Sequence, residues 1–237
     1  MESDVVGTHA GAVPLGIGYY TVPEAARLLR VPARNINRWL GGYATRSGDG
    51  ETRQPPLWEP ELPRAGMRIE MGFRDLIELR FVAAFLAAGL GLRTIRSCLD
   101  HARACVEDDR PFSTRRFRTD GRTIFLDSLR RSGESELLDL KKHQFAFKSI
   151  VEQTFRDLDI EADAVSRWRP YHGKPSIVVD PQRAFGQPVA TESGVPTVAL
   201  AEAVKAEGSM ERVAYLYEVP VPVVRDAVKF EASLKAA

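Results

Sequence analysis

Three polar side chains suited to nucleic-acid recognition lie within five residues of one another, at Arg34, Asn37 and Arg38. An arginine can bond to guanine or to a phosphate, and an asparagine can read adenine. On a helix these three side chains share one side. The apolar residues between them fall on the opposite side, with the last of the four at its edge: Ala33, Ile36, Leu40 and Trp39. The pattern favours a DNA-contacting helix, and a solvated polar face on a small helical bundle is the alternative.

Two short helices are needed to position these side chains. Thr21 is predicted to cap the first helix, with Glu24 in its first turn. Pro32 begins the second helix, which ends at Gly41-Gly42. A short helix packed behind a second one delivers a polar face to the major groove. The sequence therefore predicts a helix-turn-helix over residues 20–40.

The next hundred residues carry signals for two longer helices. Residues 43–68 hold many Gly, Pro and Arg residues and predict a loop or a short hairpin. Apolar residues at helical spacing predict helices over 73–86 and 92–106. Residues 112–126 alternate around Asp120-Gly121, which predicts a hairpin.

The remaining chain predicts a helix over 137–158, a polar linker over 161–176, and a strand from Ile177 to Val179. A turn-rich β element comes next. Three short helices are then expected, at 198–206, 210–217 and 222–234. Their expected core consists of Val198, Leu200, Val204, Val213, Tyr217, Val224, Val228 and Leu234.

These elements predict a mainly α fold with small β elements. The expected division begins with a flexible tail and a winged helix-turn-helix and ends with a three-helix module that carries a short β element. Its boundaries are 1–18 for the tail, 19–110 for the DNA-binding domain, 111–160 for a connecting hairpin and helix, 161–176 for the linker, and 177–237 for the C-terminal domain.

Composition favours a cytoplasmic protein whose N-terminal half binds a polyanion. The 237 residues are 44% hydrophobic and 27% charged, with a net charge of +1. Residues 24–46 hold five arginines and one acid, whereas residues 177–237 hold six basic and eight acidic residues. The two cysteines are too few for a disulfide framework. The start of the chain lacks a signal-peptide pattern, and the longest apolar run, residues 81–92, is too short to cross a bilayer.

Three segments in the N-terminal half resemble winged helix-turn-helix proteins of the MerR type. They are YTVPEAARLLRVPARNINRW at 20–39, FRDLIELRF at 73–81 and AGLGLRTI at 88–95. The resemblance implies a homodimer that binds DNA, and we expect the contacts from the second helix and the wing: Arg34, Asn35, Asn37, Arg38, Arg46 and Arg53. This chain has Asn37 where the family usually carries arginine, a longer segment before residue 73, and a predicted hairpin in place of the long dimer helix. Base specificity and dimer geometry are therefore not carried over.

The C-terminal region resembles the small domain of VapB-type antitoxins, whose partners are PIN-like ribonucleases. The matching motifs are IVVDP at 177–181, FGQPV at 185–189, GVPT at 194–197 and VRDAVKFE at 224–231. In the middle of the chain, FRTDGR at 117–122 resembles the hairpin of antitoxins that join both domains. The resemblance implies a non-enzymatic antitoxin that binds its operator DNA, represses its operon, and holds the cognate ribonuclease toxin inactive. A plain oligomerisation domain is the alternative.

The expected toxin contacts are Arg167, Trp168, Arg169 and Tyr171, because a cation or an aromatic group can block a cluster of metal-binding carboxylates. The alternative for Trp168 and Tyr171 is that they pin the linker to a core.

The two cysteines suggest a competing hypothesis, a metal site. Cys98 and Cys105 are seven residues apart on a predicted helix, with His101 between them, so a Zn²⁺ site would need ligands from a second subunit. The competing function is a stand-alone MerR-like regulator that senses a metal or small molecule through residues 92–160. A third reading is an interaction module that does not bind DNA. No motif for catalysis or for a cofactor is present in the sequence, and we predict neither an enzyme nor a bound cofactor or metal.

Overall fold

A computed structural model describes most of the chain, over residues 16–47, 50–63, 66, 68–132 and 147–235. Helices dominate these ranges and the strands are short, which confirms the predicted fold class. None of the described helices combines the length and the apolar character needed to cross a membrane. The predicted flexible tail lies almost wholly outside the described residues, and so does the first part of the helix predicted over 137–158.

The two helices of the predicted helix-turn-helix are present. Helix α1 (Val22–Leu29) begins as predicted at Thr21, whose backbone N–H and hydroxyl both donate to Oε2 of Glu24, at 2.8 and 2.7 Å. These bonds satisfy groups that the helix start leaves open. Arg30 ends α1 in a left-handed conformation with φ of 56°, and helix α2 (Ala33–Gly41) follows after two residues. Local sequence signals therefore define both helices.

A β-hairpin follows α2, which is one of the two structures predicted for this segment. Its strands are β2 (Tyr43–Ser47) and β3 (Gly50–Gln54), and they pair antiparallel. A second small sheet joins β1 (Tyr20–Thr21) to β4 (Glu70–Met71), also antiparallel. Because β4 pairs with the strand that precedes α1, helix α3 (Phe73–Ala87), which follows β4, begins close to the start of α1.

Helices α4 (Leu92–Val106) and α5 (Arg115–Ser132) pack against each other. The predicted hairpin around Asp120-Gly121 is wrong, because α5 continues through that dipeptide. The FRTDGR segment consequently forms no hairpin in this chain. The missing side chain of Gly121 lets the Phe117 ring pack closely, since a β-carbon there would lie 3.3 Å from three ring carbons. The buried residues of α5 follow helical spacing: Phe117, Gly121, Ile124, Phe125, Ser128 and Leu129.

A four-stranded antiparallel sheet connects the two ends of the molecule. Helix α6 (147–155) leads into it, and its order is β5-β6-β7-β8. The strands are β5 (Leu158–Glu161), β6 (Ala164–Trp168), β7 (Ile177–Val179) and β8 (Pro188–Ala190). The segment predicted as a linker over 161–176 thus contributes β6 to the sheet and is not a separate spacer.

Three helices complete the chain, as predicted: α7 (Thr197–Glu207), α8 (Met210–Leu216) and α9 (Val221–Lys235). They enclose a small core with β8, formed by Ala190, Leu200, Val213, Ala214, Val219, Val224 and Ala227. Two predicted core residues are exposed instead, Val198 at 42% and Tyr217 at 37%. Val198 lies in the first turn of α7, and Tyr217 follows the last residue of α8, so neither side chain points between the helices.

The larger core runs through the rest of the molecule. It begins at Tyr20, includes a cluster of phenylalanines around Phe81, and ends at Phe230 and Leu234 of α9. Helix α9 therefore belongs to both cores, with Phe230 and Leu234 in the larger one and Val224 and Ala227 in the smaller. The N-terminal helices and α9 of the C-terminal module share the larger core.

Candidate nucleic-acid interface

Helix α2 presents the polar face that the sequence predicts. Arg34, Asn37 and Arg38 are exposed, and Asn35 is half-buried at the edge of this face. On the opposite side Ile36, Trp39 and Leu40 are buried, so Trp39 belongs to the core and not to its edge. Ala33, which was predicted to pack inward, is exposed at the first position of the helix. The helix therefore divides into one face that packs on the core and one polar face that is exposed.

Helix α1 fixes the orientation of α2. The two helices are in direct contact, and Ala25 and Leu28 of α1 are buried in the same core as Ile36 and Leu40. Since α2 is only nine residues long, this packing stabilises it far more than its intrinsic helix propensity could. The exposed face of α2 is therefore held on a rigid support.

The hairpin is attached directly to α2. The guanidinium of Arg38 lies 3.8 Å from the centre of the Tyr43 ring, an arrangement that holds the arginine in a defined direction while its charge stays exposed. Gly42 joins α2 to β2 with φ of 73°, and a β-carbon there would approach the carbonyl oxygen of Gln54 to 2.6 Å. A glycine is thus required where the hairpin closes onto the helix.

The two predicted wing arginines differ in what the structure describes. Arg53 lies on β3 opposite Ala44 and is exposed. Arg46 pairs with Glu51 along the backbone of the hairpin, and its side chain lies outside the described part of the chain. Arg53 is therefore an exposed cation on the hairpin that directly follows α2.

Two arginines of α4, which the sequence reasoning missed, tie that helix to the base of the hairpin. Arg96 donates to the backbone carbonyls of Pro55 and Pro56, at 2.7 and 2.8 Å. Arg103 donates to the carbonyl of Leu57 at 3.1 Å. Their spacing of seven residues places them on one face of the helix, and this spacing was the only sign in the sequence that they act together. The partners are backbone groups and leave no trace in the sequence.

A buried carboxylate organises the segment that returns from the hairpin. Asp75 accepts hydrogen bonds from the indole N–H of Trp58 at 2.9 Å and from the guanidinium Nε of Arg110 at 2.5 Å. Its second oxygen accepts the backbone N–H groups of Glu61 and Gly72, at 2.8 and 3.0 Å. Asp75 is fully buried, so this network fixes the loop and the start of α3 together.

The residues predicted to contact a toxin are engaged within the chain. Trp168 is 5% exposed and donates to Asp157 at 3.1 Å, and Tyr171 is 8% exposed and packs against Phe230. Both rings therefore pin this segment to the larger core, as the structural alternative expected. The two arginines are partly exposed and paired with carboxylates: Arg167 with Asp180 at 3.1 Å and Glu161 at 3.5 Å, and Arg169 with Asp159 at 2.6 Å.

The back of α1 rests on the C-terminal module. Arg27 pairs with Glu231 of α9 at 3.3 Å, and the buried Glu231 also accepts the hydroxyl of Thr197 at 2.6 Å. One turn further, Arg30 donates to the hydroxyl of Ser233 at 2.9 Å. These contacts link α1 to α9, and the polar face of α2 remains exposed beside them.

The cysteine pair lies on α4. Cys98 is buried, and burial raises the pKa of its thiol to about 12. Cys105 is half-buried, with its Sγ 3.5 Å from Nε2 of His101. In the described ranges no three His, Cys, Asp or Glu side chains stand close enough together to hold a metal ion.

Comparison with known proteins gives relatives over nearly the full chain. No model of a known protein family matches it. A curated protein of Mycobacterium tuberculosis (strain ATCC 25618 / H37Rv) named "Putative antitoxin VapB45" is 29% identical over 220 residues, which cover 88% of this chain and 92% of that protein. The crystal structure of Rv2018 from Mycobacterium tuberculosis is also similar, with a TM-score of 0.71 and 26% identity, and the match covers 91% of this chain and all of that one. The similarity therefore spans almost the whole chain and not one part of it.

Proposed function

We propose that this chain is an antitoxin of a toxin–antitoxin system, which neutralises a PIN-like ribonuclease and represses its own operon by binding DNA. The observation that carries the proposal is the similarity to a protein named as a VapB antitoxin over 88% of the chain. A match of that extent favours an antitoxin over a stand-alone regulator, which would need to share only the DNA-binding part.

The DNA-binding half of the proposal rests on α2 and the hairpin. The exposed face of α2 offers Arg34, Asn37 and Arg38 together, and no carboxylate lies on that helix. A homodimer would place two such faces on the two halves of an operator, as in other helix-turn-helix repressors. We assign this unit to the MerR-like winged type on the basis of its helix order and its hairpin.

The toxin-binding half rests on the similarity and on two partly exposed arginines, one in β6 and one directly after it. Arg167 and Arg169 are 43% and 34% exposed, and each is within reach of a carboxylate. The clustered carboxylates of a nuclease could replace these intrachain partners, since a guanidinium binds a carboxylate through two parallel hydrogen bonds. The buried rings of Trp168 and Tyr171 hold in place the segment that presents both arginines.

Co-expression with the product of the adjacent gene tests the antitoxin role. We expect the two proteins to co-purify, and we expect the neighbour alone to cleave RNA and to arrest growth. Replacing Arg167 and Arg169 by alanine should raise the free ribonuclease activity of the complex. A neighbour that neither binds this chain nor shows ribonuclease activity contradicts the proposal.

Gel-shift measurements on the DNA upstream of the chain's own gene test the repressor role. The double variant Arg34→Ala/Arg38→Ala should abolish the shift, because both guanidiniums are lost from the exposed face of α2. Both residues are exposed, so the protein should stay folded, with only a small fall in melting temperature because the contact between Arg38 and the Tyr43 ring is lost. Binding that persists in the double variant would remove α2 from the interface.

A further inference from the structure

A groove beside the hairpin carries positive charge that the predicted interface does not include. It is lined by residues from the hairpin base and from the first turns of α4, has a volume of about 430 Å³, and is open to solvent. We call it the α4 groove, and its lining residues are Tyr43, Gln54, Leu92, Arg93 and Arg96. Its volume falls in the range of ordinary ligand sites, about 300–1,000 Å³.

The charge in the α4 groove is of one sign. Two of the described lining residues are arginines and none is a carboxylate. Arg93 is exposed and forms no ion pair with any residue in the described ranges. Arg96 is bonded to the carbonyls of Pro55 and Pro56, which are neutral and leave its positive charge uncompensated. Such a surface attracts an anion.

Two of the side chains that line the α4 groove are held in place by contacts within the protein. The guanidinium of Arg96 is fixed by two backbone carbonyls, so its direction is set before a ligand arrives. The ring of Tyr43 packs against the guanidinium of Arg38, which lies 3.8 Å from the ring centre. The ring of Tyr43 thus forms a shared wall between the exposed face of α2 and the groove.

We propose that the α4 groove binds the sugar-phosphate backbone of the DNA that α2 reads, with Arg93 as the principal phosphate contact. The inference rests on the proposed function, and it extends the DNA surface from α2 past the hairpin base onto α4. Phosphate contacts of this kind fix the register of a protein on the duplex and carry no base preference. Arg93 therefore contributes to affinity for any duplex, whereas Asn37 contributes to the choice of sequence.

Fluorescence anisotropy with labelled duplexes tests the proposal, with one duplex from upstream of the gene and one of unrelated sequence. Arg93→Ala should weaken binding to both by a similar factor, about five- to tenfold at moderate salt. The slope of log affinity against log salt should fall by about one unit, since one phosphate contact is lost. Arg93→Lys should retain most of the affinity, because the charge is kept.

The matched control is Arg225→Ala, which removes another exposed arginine, from α9 in the C-terminal module. It should leave both the affinity and the salt slope unchanged. As a second contrast, Asn37→Ala should reduce the preference for the upstream duplex without changing the salt slope. Unchanged affinity and salt slope in Arg93→Ala, with normal binding by the wild-type protein, would overturn the inference and leave the proposed function intact.

The α4 groove could instead bind a small phosphate compound, which carries the same anionic group as the DNA backbone. Inorganic phosphate is the probe that separates these two ligands. If phosphate at matched ionic strength raises the melting temperature of the wild-type protein but not of Arg93→Ala, while both bind DNA equally, the groove is a small-anion site and the inference is wrong. If the wild-type protein binds neither duplex, the proposed repressor role fails and the inference fails with it.

Discussion

The hydroxyl of Tyr20 donates a hydrogen bond of 2.7 Å to the carbonyl oxygen of Gly186, which lies 166 residues further along the chain. Gly186 has φ of 83°, and a β-carbon there would overlap the Tyr20 hydroxyl. The two residues before it, Ala184 and Phe185, also have positive φ, of 46° and 55°. The FGQPV motif is therefore shaped to receive the start of the N-terminal domain, and burial raises the pKa of the Tyr20 phenol above its ordinary range.

Replacing Gly186 by alanine should destabilise the protein by about 2–3 kcal/mol, because it adds backbone strain and a clash with Tyr20. Tyr20→Phe removes only the hydroxyl and should cost about 1 kcal/mol. Urea unfolding of both variants measures the difference. Equal stability of Gly186→Ala and the wild type would show that the two parts do not meet at this point.

Arg110→Ala should be among the most destabilising single changes in the chain. It leaves the fully buried Asp75 without its cationic partner, and breaking a buried pair in this way costs about 3–5 kcal/mol. Arg130→Ala is the control, since the pair of Arg130 with Asp127 is exposed and contributes little. Thermal unfolding compares the two variants, and similar losses in both would contradict the assigned role of Asp75.

Glu78 should make stability fall as the pH rises. Burial raises the pKa of this carboxyl from 4.5 to about 8, and the Ser113 backbone N–H opposes that rise only in part. Between these values the folded protein holds a proton that the unfolded chain has released. The contribution to stability is complete below pH 4.5 and is lost as the pH rises through about 8, at no more than about 1.4 kcal/mol per pH unit.

The variant Glu78→Gln checks this dependence, because glutamine is neutral and of similar shape. Its melting temperature should vary less between pH 5 and pH 8 than that of the wild type. A profile as steep as that of the wild type would assign the pH dependence to other groups.

The two thiols should differ in reactivity. Cys98 is 2% exposed and its pKa is raised to about 12, so almost no thiolate is accessible at pH 8. Iodoacetamide should therefore modify Cys105 in the folded protein and reach Cys98 only after unfolding, as read by mass spectrometry. The variant Cys105→Ser should take up no label while folded. Rapid labelling of Cys98 in the folded protein would contradict its burial.

The parts of the fold that the sequence predicts correctly are those defined by local signals. Thr21 with Glu24 marks the start of α1, and the glycine and proline breaks after residue 207 separate α7, α8 and α9. Asp120-Gly121 is also a local signal, but here the packing of Phe117 across the glycine outweighs it and the helix continues. Local turn preference is small compared with the burial of several aromatic side chains.

The candidate site was predictable to the same extent. Arg34, Asn37 and Arg38 are found where helical spacing puts them, since one helix alone decides their direction. Arg96 and Arg103 were missed because their role depends on the hairpin base meeting α4, a contact between segments more than forty residues apart for Arg103 and about forty for Arg96. The burial of Trp168 was likewise a matter of tertiary packing and only an alternative in the sequence.

Helix α9, which lines both cores, has a consequence for how the protein is turned over. A protease that removed Phe230 and Leu234 would open the larger core, which supports the N-terminal helices. The same cut would weaken the packing of Val224 and Ala227 in the smaller core. Loss of the C-terminal segment alone would therefore not leave an intact N-terminal fragment behind. The two proposed activities would share one lifetime, and both would end in the same unfolding event.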